Sequence, residues 1–286
     1  MGPEELNAIN GIIKNALAED CGSQGDITSQ AIFEEKAAGR AIIKSKQSGV
    51  ISGVYLLGPI FKAVDPSLTV ECRVSDGAAV GPGAVICSLR GPIRGILAGE
   101  RLALNFLQRL SGIATATNAC VKAISHTRAR LLDTRKTTPL LRLLEKRAVL
   151  HGGGVNHRFG LFDMVLIKDT HVKAAGGVTS ALTKAKGFVS GLPSPVKIEV
   201  EVQNLHEFLE ALSMAPDRIM LDNMSVELMA DCVERMRKSG LGIELEASGN
   251  ITMDTIAAVA QTGVDFISMG SLTHSVKALD IHLIME

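Results

Sequence analysis

The chain has 286 residues, of which 46% are hydrophobic and 21% are charged, and 30 Lys and Arg residues balance 30 Asp and Glu residues. This composition is typical of a globular protein with one large domain or two, and it excludes a disordered chain. A formal charge of zero also argues against nucleic acid as the main partner, because binding to a phosphate backbone requires a large basic excess.

The five cysteines are scattered along the chain, and no C-x-x-C pair occurs among them. This pattern predicts free, buried thiols in a reducing compartment, and it argues against a disulfide framework or a zinc site. The N-terminal stretch lacks a long apolar core, and no run of about 18 apolar residues follows, so we expect neither a signal peptide nor a membrane span. A cytoplasmic protein is the resulting expectation.

The first part of the chain contains two helix-like segments that flank strand-like ones. Apolar spacing predicts helices over Leu6–Glu19 and Ile93–Leu110, the second ending at Ser111-Gly112. The predicted strands between them are Arg40–Lys46, Gly49–Val54, Thr69–Val74 and Ala84–Leu89. We therefore expect an N-terminal domain over residues 1–110 and a second domain over residues 111–273.

In the second domain, apolar runs alternate with segments of helical period. The predicted strands are Arg130–Asp133, Met164–Lys168, Val196–Val202, Arg218–Asp222, Ile243–Ala247 and Asp265–Met269. The predicted helices are Pro139–Leu150, Thr179–Ser190, Leu205–Met214, Val226–Lys238 and Thr252–Gln261. This alternation predicts βα units and a parallel sheet. The number of units, with no G-x-G-x-x-G after the first strand, favours a closed barrel over a dinucleotide-binding sheet.

The residues that follow these predicted strands show a pattern of charge. The six strand ends carry, in chain order, Arg135-Lys136, Lys168, Glu201, Asp222, Ser248-Gly249 and Gly270-Ser271. Because the carboxyl ends of parallel barrel strands meet on one rim, this pattern predicts a shared active site. Unpaired buried cations are costly, so the cations there, together with His157-Arg158, predict an anionic substrate.

The other strand ends indicate two further kinds of site, one for a cation and one for a phosphate. Glu201 and Asp222, on neighbouring predicted strands, could hold Mg²⁺ or could pair with Lys136 and Lys168. The glycines after the last two strands would expose backbone N–H groups that suit a phosphate. His157 could be an acid/base, but a hydrogen-bond donor to a carboxylate is favoured in its cationic surroundings. Motifs of zinc proteases, serine hydrolases and P-loop proteins do not occur.

Several stretches match the sequence pattern of a known family. They occur in the same order as in that family and extend over nearly the whole chain. They are Glu19-Asp20, Gly25-Asp-Ile-Thr28, Arg101 to Asn105, Ser111-Gly-Ile-Ala-Thr115, Asp133-Thr-Arg-Lys-Thr-Thr-Pro139, Asn156-His-Arg-Phe-Gly-Leu161, Asp163-Met-Val-Leu-Ile-Lys-Asp169, Glu199-Val-Glu201, Leu221-Asp-Asn223, Glu246-Ala-Ser-Gly249 and Phe266 to His274. Together they resemble quinolinate phosphoribosyltransferases. The resemblance implies an N-terminal α/β sandwich, joined by a C-terminal helix over residues 274–286, and an incomplete, seven-stranded parallel α/β barrel.

The resemblance also implies the reaction and the assembly. Quinolinate and 5-phosphoribosyl 1-pyrophosphate would give nicotinate mononucleotide, pyrophosphate and CO₂ in NAD biosynthesis, with Mg²⁺ as cofactor. The family works as a homodimer or a higher homo-oligomer, and Arg101 would reach into the site of the partner subunit.

Roles of individual residues are carried over by motif. Arg101, Arg135, His157, Arg158 and Lys168 would hold the two carboxylates of quinolinate, and Lys136 and Lys168 would meet phosphate or pyrophosphate oxygens. Glu201 and Asp222 would lie by the ribose hydroxyls and the metal. Ser248, Gly249, Gly270 and His274 would hold the 5′-phosphate, and Asn250 and Ser271 complete the substrate-binding set. Lys136, Lys168, Glu201 and Asp222 are the predicted catalytic residues.

Three positions depart from the family pattern. Leu140 stands where glycine is usual, and we expect it at a helix start where glycine is not required. Val155 replaces a polar residue or histidine. Asn250 replaces a glycine, and we expect little effect because asparagine tolerates left-handed backbone.

Three other functions compete with this one. A fold-sharing enzyme of molybdenum-transport operons tends to lack the Ile-Lys-Asp run, so Lys168 argues against it. A nicotinate phosphoribosyltransferase binds one carboxylate and would not need so many cations. A non-catalytic anion-binding protein would have no use for the inward pair Glu201 and Asp222.

Overall fold

The computed structural model describes residues 2–286, which form two compact units. The first comprises the chain up to Asn118, Thr138–Gly153 and Ser275–Glu286, and the second comprises Ala119–Thr137 and Gly154–His274. The elements as far as the long helix are α1 (Pro3–Cys21), α2 (Ile27–Ile32), β1 (Ala38–Ser45), β2 (Gly49–Val50), α3 (Val54–Val64), β3 (Thr69–Cys72), β4 (Ala79–Val80), β5 (Val85–Pro92) and α4 (Ile93–Ala123).

The remaining elements alternate between strand and helix. They are β6 (Arg130–Leu132), α5 (Arg142–His151), β7 (Val165–Ile167), α6 (Asp169–Ala175), α7 (Val178–Val189), β8 (Ile198–Val202), α8 (Leu205–Met214), β9 (Arg218–Asp222), α9 (Val226–Ser239), β10 (Glu244–Ser248), α10 (Ile256–Gln261), β11 (Phe266–Ser268), α11 (Ser271–His274) and β12 (Ile281–Met285).

The first unit is built on an antiparallel sheet with strand order β12-β1-β5-β3, beside a short β2-β4 pair. Strand β1 buries Ala41, Ile43 and Ser45 and leaves the alternate residues more exposed, as a two-residue period requires. Ala41 and Ile43 join Phe61 of α3 and Leu89 of β5 in one hydrophobic core.

The C-terminal segment corrects the helix expected over residues 274–286. Only Ser271–His274 is helical, and Ile281–Met285 forms strand β12, which pairs antiparallel with β1. Ile281 is buried and Met285 is exposed. The segment gains the backbone hydrogen bonds of a sheet edge, which a sequence pattern of five residues does not reveal.

Helix α4 runs to Ala123 and does not end at Ser111-Gly112 as predicted. Both residues serve close packing instead. A Cβ at Gly112 would lie 2.3 Å from the carbonyl oxygen of Lys277. The hydroxyl of Ser111 accepts the backbone N–H of Ser52 at 3.0 Å. Glycine here permits the approach of another backbone segment and does not mark a helix end.

Helix α3 was not predicted from the sequence, because the pattern of Gly49–Val54 is typical of a strand. Only Gly49 and Val50 are extended, and the helix begins at Val54. Its N-terminus is capped from a distance by Asp76, whose carboxylate accepts the backbone N–H groups of Gly53 at 2.6 Å and Val54 at 2.9 Å. A cap so far along the sequence leaves no local signal of a helix start.

Leu140 corrects another expectation. Its φ is 67°, in the left-handed region, and its side chain is 87% exposed. The residue lies in a turn before α5, where the N–H of Leu141 donates to the carbonyl of Thr138 at 3.1 Å. The expectation that glycine is not required here was therefore wrong, since this backbone conformation favours glycine.

The second unit is a parallel sheet with strand order β6-β11-β10-β9-β8-β7. All six predicted strands are present. The first and last are neighbours, since β11 pairs with β6. Beyond β6, Leu132 forms a single parallel bridge with Val155. The sheet itself has six strands, one fewer than the seven that the resemblance implied. Within residues 2–286 no strand pairing joins Val155 to β7, so the barrel is incomplete, as expected.

The hydrophobic core of the second unit explains the apolar runs. Val200, Leu221, Leu245 and Ile267 are fully buried in successive strands. In a barrel both faces of a strand are covered, so the strands read as nearly continuous apolar runs and the polar residues accumulate at their ends.

Two further observations concern residues 2–286. None of their helices combines the length and apolar character needed to cross a bilayer. The five cysteines are free, as predicted, and the burial expected for them holds for Cys87, Cys120 and Cys232, whereas Cys21 is half-buried and Cys72 is exposed.

Candidate active site at the carboxyl ends of the parallel strands

A cavity of about 720 Å³ lies at the carboxyl ends of the parallel strands, within the second unit. The predicted site residues that line it are Arg135, Lys136, His157, Arg158, Lys168, Glu201, Asp222, Ser248, Gly249, Asn250, Gly270, Ser271 and His274. Arg101, the remaining predicted residue, is exposed on α4 in the first unit. The strand-end pattern thus identified residues that the fold brings together.

The cationic part of the cavity comes from the segments that follow β6 and precede β7. Lys136 is anchored through its backbone, which donates to the hydroxyl of Thr134 at 3.0 Å and accepts from the hydroxyl of Thr273 at 2.7 Å. Arg158 donates from Nη1 to the carbonyl of Met164 at 2.9 Å. Burial, and next the charge of Arg135, lower the pKa of Arg158. An anion in the cavity would relieve this repulsion.

The acidic part comes from the ends of β8 and β9. Burial, and next the carboxylate of Asp222, raise the pKa of Glu201 to about 7, while the charge of Lys168 acts in the opposite direction. The amide of Asn223 donates to Asp222 at 2.8 Å. Two neighbouring carboxylates that repel each other are a donor set suited to Mg²⁺, which prefers a few carboxylates together with water and substrate oxygens. The residues present therefore fit that cation.

The loop after β10 brings a glycine into close contact with a neighbouring side chain. Gly249 has a φ of 91°, and a Cβ there would lie 2.3 Å from Oδ1 of Asn223. Asn250 has a φ of 49°, and its amide donates to the same Asn223 oxygen at 2.9 Å. The expectation that asparagine tolerates left-handed backbone at this departure is confirmed.

At Gly270, which follows β11, the backbone also approaches other side chains closely. A Cβ at this position would lie 2.9 Å from Cδ of Lys136 and 3.1 Å from Cδ2 of His274. Gly270 thus keeps a predicted catalytic lysine and a predicted phosphate-binding histidine close to one stretch of backbone.

A polar cluster, defined here as His157, Glu199, Glu246 and Arg218, adjoins the cavity, which His157 and Glu246 line. Nε2 of His157 lies 3.1 Å from Oε2 of Glu199 and 3.5 Å from Oε2 of Glu246. Nη1 of Arg218 lies 3.0 Å from the same Glu246 oxygen. Burial raises the pKa of Glu246 to about 7, and the carboxylate of Glu199 adds to this effect.

Glu246 and Asn223 also line the cavity, and no site role was predicted for either from the sequence. The available signal for Glu246 was the two-residue period of Glu244 and Glu246, which places both side chains on one face of the strand. One ligand atom each from His157, Glu199 and Glu246 fall within 4.8 Å of one another, a spacing that a metal ion can bridge. The guanidinium of Arg218 already supplies positive charge to Glu246 there.

An incomplete parallel barrel with cations, carboxylates and glycine loops on one rim defines an α/β-barrel protein with a site for an anionic substrate. Residues 26–111 match the model for the N-terminal domain of quinolinate phosphoribosyl transferase, and residues 113–284 match that for its C-terminal domain.

Individual proteins agree with the family models. The quinolinate phosphoribosyltransferase (decarboxylating) 1 of Nicotiana glauca is 45% identical over 287 residues, covering 96% of this chain and 81% of that protein. The chloroplastic nicotinate-nucleotide pyrophosphorylase (carboxylating) of Arabidopsis thaliana is also 45% identical, covering 96% and 82%. The solved nicotinate-nucleotide pyrophosphorylase of Francisella tularensis superposes with a TM-score of 0.91 at 41% identity, covering 98% and 96%. The chain belongs to the quinolinate phosphoribosyl transferase family.

Proposed function

We propose that the protein transfers the phosphoribosyl group of 5-phosphoribosyl 1-pyrophosphate to the ring nitrogen of quinolinate. The products are nicotinate mononucleotide, pyrophosphate and CO₂, and the reaction belongs to NAD biosynthesis. One observation carries the proposal: a single cavity gathers Arg135, Arg158 and Lys168 beside the carboxylates Glu201 and Asp222. This combination suits a dicarboxylate next to a ribose that develops positive charge.

Quinolinate would bind to the cationic part of the cavity. Guanidinium groups match carboxylates in geometry, and Arg135 and Arg158 already repel each other there, so two carboxylates would stabilise both. Lys136 and Lys168 would meet the oxygens of phosphate or pyrophosphate. A nicotinate phosphoribosyltransferase, which binds one carboxylate, would leave part of this charge uncompensated.

The ribose would lie beside Glu201 and Asp222, and these two residues would hold Mg²⁺. The cation would neutralise charge on the pyrophosphate as it leaves. The carboxylates would stabilise the positive charge that develops at C1′ of the ribose. At the opposite end of the sugar, Ser248, Gly249, Asn250, Gly270, Ser271 and His274 would surround the 5′-phosphate.

The chemistry follows from this arrangement without a nucleophilic side chain. The ring nitrogen forms a bond to C1′ as the bond from C1′ to the pyrophosphate oxygen breaks. The C2 carboxylate then leaves as CO₂, and its bonding electrons remain on C2, where the adjacent nitrogen cation stabilises them until C2 takes up a proton. Positioning and electrostatics account for the catalysis.

The test is turnover with defined substrates. The protein is incubated with quinolinate, 5-phosphoribosyl 1-pyrophosphate and Mg²⁺, and CO₂ and nucleotide are measured; Lys168→Ala should be nearly inactive. Lys173→Ala, which removes an exposed lysine of α6, is the matched control and should retain activity. Turnover of nicotinate with none of quinolinate would contradict the proposal.

We propose further that the protein acts as a homodimer or higher homo-oligomer to which Arg101 contributes in trans. The support is the family resemblance and the exposed position of Arg101 on α4. Arg101→Ala and Lys168→Ala should each be nearly inactive, and mixing them under subunit exchange should restore partial activity. Verified mixed dimers without activity would show that Arg101 does not act in trans.

We propose a cytoplasmic location, because scattered, free cysteines suit a reducing compartment. Similar proteins of Nicotiana tabacum and Arabidopsis thaliana are named as mitochondrial and chloroplastic, respectively. Fractionation of the source cells, with the protein detected by antibody, distinguishes these compartments.

A further inference from the structure

Both nitrogens of the His157 ring lie close to other polar groups of the second unit. Nδ1 accepts the backbone N–H of Arg158 at 2.7 Å, which leaves the ring proton on Nε2. Nε2 faces the carboxylates of Glu199 and Glu246 at 3.1 Å and 3.5 Å. The ring therefore connects strands β8 and β10 with the backbone of Arg158.

The two carboxylates are placed where they are costly for stability. Both glutamates are 0% exposed, and Oε1 of each has no hydrogen-bond partner. An apolar pair would fill the same barrel layer at lower cost. Arg218 donates to Oε2 of Glu246 at 3.0 Å and fixes this carboxylate beside His157.

We propose that Glu246 and Glu199 are positioning residues, which act through the His157 ring to hold Arg158 in place for the carboxylates of quinolinate. This inference rests on the proposed function, because it assigns Arg158 to the quinolinate subsite. The backbone N–H of His157 supports it from the other side, since it donates to the buried carboxylate of Asp133 at 2.8 Å. The His157-Arg158 segment is thus held by the backbone of His157 and by the imidazole ring of His157.

The inference predicts a selective effect on one substrate. Glu246→Gln keeps the shape of the side chain but removes the negative charge that faces Nε2 of His157 at 3.5 Å and binds Arg218 at 3.0 Å. The KM for quinolinate should rise by about 10-fold or more, as for other residues that orient a ligand-binding side chain, while the KM for 5-phosphoribosyl 1-pyrophosphate should change by less than about 2-fold. Glu199→Gln should act in the same direction and serves if Glu246→Gln does not fold.

Glu244→Gln is the matched control. Glu244 lies two residues earlier on β10, binds Arg218 at 2.9 Å, is partly exposed and does not line the cavity. It should leave both KM values unchanged. An unchanged quinolinate KM in folded Glu246→Gln, or an equal rise in Glu244→Gln, would overturn the inference.

A second readout does not depend on turnover. The ¹⁵N signals of the His157 ring, assigned by their loss in His157→Asn, should show a proton on Nε2 and should shift in Glu246→Gln but not in Glu244→Gln. A His157 ring protonated on Nδ1 would overturn the inference. If wild-type protein does not turn over quinolinate, the proposed function fails, and this readout still tests the contact.

Discussion

Oδ1 of Asn223 occupies the space that a Cβ at position 249 would need, at a distance of 2.3 Å. Gly249 also has a φ of 91°, so both space and backbone conformation select glycine. The contact joins the end of β9 to the loop after β10, where Asp222 and the proposed phosphate-binding residues lie.

Gly249→Ala should therefore displace Asn223 and the loop together. We expect kcat/KM for 5-phosphoribosyl 1-pyrophosphate to fall by about 100-fold, because displacements near 1 Å in a site have effects of this size. Steady-state kinetics measure the loss. Gly242→Ala, where a Cβ meets nothing within 4 Å, is the control and should be close to wild type. Equal activity of the two variants would contradict the role of this contact.

Leu140→Gly should stabilise the protein. The left-handed backbone at Leu140 costs about 1–2 kcal/mol for a residue with a Cβ, and glycine removes this cost. Glycine also has more conformational entropy in the unfolded state, which offsets about 0.5–1 kcal/mol of the gain in stability. The exposed side chain contributes little packing, so a net gain of up to about 1 kcal/mol in the free energy of unfolding is expected.

Urea unfolding followed by circular dichroism measures this gain. Leu161→Gly is the control, because Leu161 is 73% exposed but does not have a positive φ. It should be neutral or destabilising. A Leu140→Gly variant less stable than wild type would contradict the strain at this position.

Arg109→Met should destabilise the protein strongly. The guanidinium binds the fully buried carboxylate of Glu145 through Nη2 at 2.6 Å and Nε at 2.8 Å. Removing it leaves a buried charge without its main partner, which costs about 3–5 kcal/mol. The double variant Arg109→Met with Glu145→Gln should recover more than half of the loss in urea unfolding. A cost below about 1 kcal/mol for Arg109→Met would refute this account of the pair.

Cys72 should be the most reactive thiol near neutral pH. The thiol of Cys87, which faces Cys72 on the neighbouring strand, lowers the pKa of Cys72 to about 7. Burial raises the pKa of Cys120, and it raises that of Cys232 to about 12. The thiolate fraction of Cys72 should increase as the pH rises through 7, and its alkylation rate with it.

Limited treatment with iodoacetamide at pH values from 6 to 8, followed by peptide mass spectrometry, tests this order of reactivity. Cys87→Ala should slow the alkylation of Cys72 at pH 7, because it removes the thiol that lowers the pKa of Cys72. Faster labelling of Cys120 or Cys232 than of Cys72 would contradict the prediction.

The sequence was sufficient for the parallel barrel and for most of the cavity. Apolar runs with polar ends locate β6 to β11 within a few residues, and the ends of parallel strands must meet on one rim. Gly249 and Lys168 are therefore predicted to share one site from the sequence alone.

Other features depend on contacts that a linear pattern does not contain. The cap of α3 comes from Asp76, and the packing of Gly112 comes from Lys277, far away along the chain. The contact of His157 with Glu246 depends on strand register, which sets which of the alternate residues of β10 face the cavity. The left-handed φ of Leu140 follows from the turn before α5 and not from the identity of the residue.

The central claim is that this cavity joins a pyridine dicarboxylate to a phosphoribosyl group and removes one carboxylate. The most direct measurement uses quinolinate labelled with ¹³C in the C2 carboxylate, with 5-phosphoribosyl 1-pyrophosphate and Mg²⁺. We expect one labelled CO₂ for each nicotinate mononucleotide formed, and no label in the nucleotide. A nucleotide that retains the label, or no product from quinolinate at all, would contradict the claim.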